Sequence, residues 1–238
     1  MHKGLKEKLF FMERLDVTGF RTVIDFGCGA GEILHAVAEA DPLSQIRLIG
    51  IDRDEYMRDL TLKGTPGIEV YPSLEREMVD DRTLIIFSSV LHEVGDRWPE
   101  IRRAISGTGA TVAVRDMCFG VDESKAGDIR KWRLRDSLSK VVRHSNPGML
   151  ADFIGKYGMM TDIQLCHYLL KYTYVDNWAL ELEENYFSFD YGNLADMGET
   201  LYQRQYLLDH VGECVKRDFG IDMIYTTHVQ MIVRLRKD

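Results

Sequence analysis

The chain has 238 residues, 45% hydrophobic and 29% charged, with a formal net charge of −8. Such values exclude a disordered chain and leave room for one domain with an elaboration, or two small domains. The acidic balance argues against broad, nonspecific nucleic-acid binding, and no apolar run reaches the roughly 18 residues of a membrane span.

Residues Met1 to Lys8 carry charges with no apolar secretory core behind them, which points to a cytoplasmic protein. The four cysteines, Cys28, Cys118, Cys166 and Cys214, form no C-x-x-C pair. Dispersed thiols argue against a metal site or a disulfide framework. Residues 3–15 read as an amphipathic helix with Leu5, Leu9, Phe10 and Met12 or Leu15 on one side.

The stretch from Val23 to Leu34 reads as a buried strand (22–26), a glycine turn and the opening of a helix (30–40). That helix presents Ile33, Leu34, Val37 and Ala38 to one side. Gly27, Gly29 and Gly31 let the backbone turn sharply and approach a ligand closely, since no Cβ intervenes. The spacing is G-x-G-x-G. A dinucleotide fingerprint, G-x-G-x-x-G, would need glycine at 32, where Glu32 stands.

A second strand over 47–51 ends in Asp52, placed where a ribose hydroxyl pair needs an acidic acceptor. A helix from Glu55 to Lys63 and a short strand near Ile68 to Tyr71 follow, then a buried strand over 83–88. The polar loop Ser88 to Gly95 contains Ser89, His92 and Glu93, and a helix from Asp96 to Ser106 leads to a fifth strand, Ala110 to Asp116. Alternating strands and helices predict a doubly wound, mostly parallel α/β sheet, with ligand outside the carboxyl ends of its strands.

In this order and spacing, Asp25 with the three glycines, Asp52 and the Ser88 to Val94 stretch resemble the motifs of class I S-adenosylmethionine-dependent methyltransferases. The resemblance implies S-adenosylmethionine as cofactor. Gly27, Gly29 and Gly31 would lie under its amino-acid end and ribose. Asp25 would reach the methionine ammonium, Asp52 would hold the ribose hydroxyls, and Ser88 and Ser89 would offer backbone contacts. In the family an acidic or polar residue after the third strand touches the adenine. Here Pro72-Ser73-Leu74 gives no acidic match, and no residue is carried over. The resemblance also implies that an N-terminal helix can lie over the cofactor.

His92, just beyond the fourth strand, is the candidate acid or base, since its unperturbed pKa suits proton transfer near neutrality. Its bland reading is a loop-shaping or helix-capping residue. Asp116 also faces the expected cleft; a helix cap or an ion pair with Arg115 are its other readings. His92 to Asp96 lacks the second histidine of H-E-x-x-H, and no Pro-Cys or Asn-Pro-Pro occurs. These absences argue against zinc proteolysis and against two forms of base methylation.

Near the C-terminus, a helix over 196–218 carries Leu201, Leu208, Val211 and Val215. It leads to strands Ile221 to Tyr225 and His228 to Leu235, joined at Thr226-Thr227 as a C-terminal antiparallel hairpin. The division is then a core over 1–117 and 196–238, with 118–195 inserted as a helical cap, too long for a simple loop. A helix from Glu123 to Val142 has Leu134, Leu138, Val141 and Val142 on one face and Arg133, Lys140 and Arg143 on the other. A second helix ends at Tyr157.

Between Cys166 and Tyr191 lie eight of the chain's 24 aromatics, readable as core or as a stacking surface. His167, Tyr168 and Tyr172 are the candidate substrate-pocket residues. The leading expectation is a methyltransferase acting on a small molecule enclosed by the cap. The basic face, with Arg130, Lys131, Arg133, Lys140 and Arg143, keeps an RNA or nucleotide acceptor open. A non-catalytic cofactor-binding module is the third reading, and the oligomeric state is left undetermined.

Overall fold

The computed structural model describes residues 4–40, 46–64, 67–121, 133–158 and 160–238. Seven strands form one sheet: β1 (Thr22–Phe26), β2 (Arg47–Ile51), β3 (Glu69–Tyr71), β4 (Thr83–Ser88), β5 (Thr111–Val121), β6 (Gly198–Tyr206) and β7 (Tyr225–Leu235). Their order is β3-β2-β1-β4-β5-β7-β6. The pairs β1–β2, β1–β4, β2–β3 and β4–β5 are parallel. β1, β2 and β4 are buried nearly throughout, as strands covered on both faces must be. The strand order reverses between β1 and β4, so a crevice opens at their carboxyl ends.

The chain falls into two compact units: residues 1–116, 190–204 and 230–238, and residues 117–189 and 205–229. In the first unit, helices α1 (Leu5–Lys8), α2 (Glu32–Ala40), α3 (Glu55–Gly64), α4 (Leu91–Val94) and α5 (Trp98–Ile105) accompany the parallel strands. Its core joins Phe10, Phe11, Ile33, Leu34 and Val37 to Val23, Leu48, Leu84, Ile86, Ala113 and Ile232.

The expected helix over 3–15 is instead α1 followed by a 3₁₀ turn, Phe10–Glu13. Phe10 and Phe11 are both buried, and neighbours on one α-helix point about 100° apart; the chain leaves helical geometry at Leu9 so that both rings go inward. The expected helix over 96–106 begins earlier and is interrupted. Leu91–Val94 is already helical, Gly95 breaks it at φ +48°, and α5 starts at Trp98 with Pro99 in its first turn.

In the second unit the helices are α6 (Leu134–His144), α7 (Pro147–Tyr157), α8 (Asp162–Tyr172), α9 (Trp178–Glu183) and, after α10 (Gly192–Ala195) of the first unit, α11 (Asp209–Phe219). Asn146 caps α7 by accepting N–H bonds from Gly148 and Met149. Thr161 and Gln164 form a capping box on α8. The core is aromatic: Phe153, Tyr168, Tyr186 and Phe219 pack with Val141, Leu170, Val211 and Val215. Val142, expected on the buried face of its helix, is 57% exposed. Residues 123–132 of the expected helix, with Arg130 and Lys131, lie outside the described residues.

The C-terminal antiparallel pair is present with different partners. Residues 198–206, expected as helix, form edge strand β6, and α11 starts only at Asp209. Thr226 and Thr227, expected as a turn, lie inside β7. Both are β-branched and buried, which suits a strand interior rather than a hairpin turn. Antiparallel pairing of β7 with β5 follows from the Thr108–Lys237 bridge and the Leu235 N–H bond to the Ala110 carbonyl. Gly198 sits where a Cβ would strike the Arg234 carbonyl, so the start of β6 meets the end of β7 closely. Among the described residues no helix is long and apolar enough to cross a membrane.

Candidate functional site

The carboxyl ends of β1, β2 and β4 surround a cavity of about 200 Å³. Its walls are Phe26 and Gly27 from β1 and its turn, Ile51, Asp52 and Arg53 from β2, Pro72 after β3, and Ser89, Val90, Glu93 and Arg97 after β4. The sequence-predicted residues Gly27, Asp52 and Ser89 thus meet in one place.

The glycine turn is built for close approach. Gly27, Gly29 and Gly31 have φ of +76°, +52° and +82°, a region other residues rarely adopt. A Cβ on Gly27 would lie 2.7 Å from the Val90 side chain, and one on Gly31 would lie 2.9 Å from Thr61. A Cβ on Gly29 would meet nothing within 4 Å; there the open backbone itself faces the space.

Two side chains lock this turn. Asp52 Oδ2 accepts the Gly29 N–H at 3.0 Å, and Asp52 Oδ1 accepts the Asp54 N–H at 2.9 Å. Each carboxylate oxygen keeps a second lone pair for a ligand hydroxyl. Thr61 Oγ1, on α3, donates to the Gly29 carbonyl at 2.7 Å. The sequence offered no signal for Thr61, because its role depends on α3 passing beneath a turn 32 residues away.

Asp25 is 2% exposed, and its Oδ1 has no hydrogen-bond partner among the described residues. Burial raises its pKa to about 7; the Lys8 ammonium lowers it, and Asp52 raises it further. A carboxyl so placed lacks the compensating hydrogen bonds that a buried ion ordinarily has.

After β4, Ser89 has φ +57°, a strained value for a residue with a Cβ. It is held there at both ends: its N–H donates to the Arg115 carbonyl at 2.8 Å, and the Arg115 Nη1 donates to its Oγ at 2.6 Å. Arg115 therefore turns to Ser89, and the alternative of an ion pair with Asp116 does not form. Ser88 is buried, and its Oγ has no partner among the described residues.

Asp116 and His92 form a buried pair. Asp116 Oδ1 lies 2.6 Å from His92 Nδ1, while Oδ2 accepts the N–H groups of Val90 at 3.0 Å and Leu91 at 2.6 Å, with His92 N–H at 3.4 Å. Asp116 thus caps α4 from a strand and also orients the imidazole. A carboxylate at Nδ1 keeps the proton on that nitrogen and leaves Nε2 as the basic atom. His92 Nε2 is 3.7 Å from Glu93 Oε1, and Glu93 lines the cavity.

The three candidate substrate-pocket residues lie elsewhere. His167 packs against the rings of Phe153, Tyr157, Tyr186 and Phe187. Tyr168 is fully buried against Phe153, Tyr172 and Trp178, and Tyr172 meets Phe219 edge-on. They belong to the second unit's core, and none lines the cavity. On the basic face, Arg133 and Arg143 are exposed, and Lys140 Nζ is bonded to the Gly220 carbonyl at 2.9 Å.

No family model matches the chain, and no curated protein matches it. Solved structures do. A protein from Listeria monocytogenes assigned as an S-adenosylmethionine dependent methyltransferase aligns over 98% of this chain and 100% of its own, at 12% identity and a TM-score of 0.52. A SAM dependent methyltransferase from Aquifex aeolicus aligns over 47% of this chain and 64% of its own, at 20% identity and a TM-score of 0.39. The plantazolicin methyltransferase BpumL, solved with a triazolic desmethylPZN analog and SAH, aligns over 96% of this chain and 81% of its own, at 10% identity and a TM-score of 0.42. The strand order and the Listeria match show that the fold is that of the class I methyltransferases.

Proposed function

From a class I methyltransferase fold whose glycine turn, Asp25 and Asp52 converge on one strand edge, we propose that the chain is an S-adenosylmethionine-dependent methyltransferase acting on a small molecule. The observation that carries this reading is Asp25: a buried carboxyl with an unpartnered oxygen, two residues before a glycine turn whose Gly29 leaves open space. An ammonium is the group that such a carboxylate is made to receive.

Asp25 would hold the cofactor's ammonium and Asp52 its ribose hydroxyls, with the glycine backbone against its chain. Bound there, the cofactor supplies an electrophilic methyl group on a sulfonium. The remaining work of the protein is alignment, exclusion of water and proton removal. His92, held by Asp116, would take the proton from a hydroxyl or similar acceptor through Nε2, and Asp116 would stabilise the imidazolium. The cavity's volume suits part of a small ligand. Chemistry decided by a site, not by a fold, has to be tested at that site.

The deciding experiment is calorimetric titration of S-adenosylmethionine and S-adenosylhomocysteine into the protein, followed by acceptor screening with methyl-labelled cofactor. Micromolar binding of both, and label transfer abolished by His92→Gln, is the expected result. No binding of either ligand would end the cofactor assignment, and transfer retained by His92→Gln would end the role given to His92.

A further inference from the structure

Among the described residues, Asp25 Oδ1, Ser88 Oγ and Arg115 Nε of the first unit are buried without a hydrogen-bond partner, and all three lie on one side of the sheet. Strand register shows why they gather. Asp25 pairs with Ile86, Ser88 lies two residues beyond Ile86, and Ser88 pairs with Arg115. Paired residues of parallel strands share a face, as do residues two apart. Asp25, Ser88 and Arg115 therefore project from the same face, the first two at the carboxyl ends of β1 and β4 and Arg115 beside Ser88 in the middle of β5. Continuing the antiparallel bridge Thr108–Lys237 along the two strands sets Gln230 of β7 beside Arg115.

The end of α1 roofs this row. The Glu7 carbonyl accepts the Gln230 amide at 3.2 Å, and the Lys8 charge acts on Asp25. Arg115, in the same row, is 7% exposed. Its Nη1 is committed to Ser89. On its other edge, which carries Nε and Nη2, the buried Nε meets no acceptor among the described residues. A buried guanidinium without a counter-ion is costly, and that edge has the geometry that receives a carboxylate through two parallel N–H bonds. Asp25 on β1 is suited to a cation. Arg115, two strands away, is suited to an anion.

We propose that Arg115 and Ser88, roofed by α1, form a carboxylate-binding site in which the guanidinium edge takes the carboxylate and the Ser88 hydroxyl donates a third hydrogen bond. The carboxylate has two sources, the amino-acid end of the cofactor or the methyl acceptor, and the first source rests on the function proposed above. Ser89 ties this site to the cavity, because the residue that Arg115 clamps at positive φ is itself a cavity wall.

Calorimetry separates the sources. S-adenosylhomocysteine and its decarboxylated analogue, 5′-deoxy-5′-(3-aminopropylthio)adenosine, are titrated into the wild type, Arg115→Gln and Arg115→Lys. Benzoate is titrated into each protein with and without S-adenosylhomocysteine. Melting curves verify that the variants fold, and Ser88→Ala supplies a second, milder variant. If the cofactor provides the carboxylate, the wild type prefers S-adenosylhomocysteine by about tenfold or more. Arg115→Gln then abolishes the preference, and Arg115→Lys restores part of it. If the acceptor provides it, both nucleosides bind wild type and variant alike, while benzoate binds the wild type and not Arg115→Gln.

Equal nucleoside affinities together with benzoate binding that is absent, or unchanged by Arg115→Gln, would overturn the site. Failure of the wild type to bind either nucleoside would instead overturn the cofactor assignment. Benzoate titration of the ligand-free protein would then decide the carboxylate site by itself.

Discussion

Each unit of the molecule buries an ionisable group deeply, and the two burials are opposites. Asp25 of the first unit keeps an oxygen with no partner beside an open glycine turn. Lys171 of the second unit, fully buried on α8, spends its ammonium on the carbonyls of Glu181 and Glu184 and lies 3.7 Å from the Tyr186 ring centroid. These carbonyls belong to the end of α9, where a helix leaves acceptors without intrahelical donors. Tyr157 Oη donates to the same segment, at the carbonyls of Leu182 and Glu184. One buried charge is finished by its own chain. The other, on the function proposed above, is left for a ligand, and that difference, not burial, would separate a site from a core.

The largest effect expected from this contrast is on ligand binding at the first unit. Asp52→Ala removes the acceptors proposed for the ribose hydroxyls and frees the Gly29 N–H. Two charge-assisted hydrogen bonds lost correspond to about a 100-fold weaker S-adenosylhomocysteine affinity, roughly 2.7 kcal/mol. Titration calorimetry showing that loss, in a variant whose melting curve still reports a folded protein, would sharpen the contrast, and unchanged affinity would break it.

Next in size is the mirror experiment. Lys171→Met leaves the α9 carbonyls short of donors and is expected to lower stability by roughly 2 kcal/mol, read by urea unfolding, with S-adenosylhomocysteine affinity unchanged. Burial lowers the Lys171 pKa to about 8. The folded value lies below the unfolded one of 10.5, so stability rises with pH between about 8 and 10.5, a rise the variant lacks. A binding defect in Lys171→Met would place this residue in the site after all.

Asp25 is expected to show the opposite slope. Its folded pKa, about 7, lies above the unfolded 3.8, so the folded state holds an extra proton between those values and ligand-free stability falls as pH rises through that window. Receiving an ammonium needs the ionised carboxylate. Cofactor affinity should therefore climb by up to about tenfold per pH unit below 7 and flatten above it. Asp25→Asn flattens both profiles and weakens binding at pH 8 by about tenfold, roughly 1.4 kcal/mol. A wild-type affinity that does not change between pH 5.5 and 8 would detach Asp25 from the ligand.

The sequence made one of these regions far more legible than the other. β1, β2 and β4 announce themselves as short apolar runs because both faces are covered, and the glycines, Asp25 and Asp52 stand at or beside the ends of those runs. β6 misled, because six of its nine residues are exposed, and Leu201 taken with Leu208, Val211 and Val215 imitates a helical stripe. The aromatic segment of the second unit also read ambiguously as pocket or packing: ring spacing along α8 is the same for both, and only the partners of His167, Tyr168 and Tyr172 separate them. Arg115 gave no signal for the binding role proposed above, since that role rests on which atoms it meets across the sheet.

Thr61 gives the smallest effect and the finest test, because it touches the glycine turn without touching the cavity. Its hydroxyl holds the Gly29 carbonyl, while its methyl sits where a Gly31 Cβ would need to be. Thr61→Val keeps shape and removes only the hydroxyl, so the Gly29 carbonyl loses its donor, at a cost of about 1 kcal/mol in stability. If the turn's conformation is what presents the Gly29 backbone to the cofactor, S-adenosylhomocysteine affinity should fall severalfold as well, and Thr61→Ser should restore it. If stability falls while affinity holds, the turn is kept in place by Asp52 alone, and Thr61 belongs with Lys171 among the groups whose polar atoms serve only the fold.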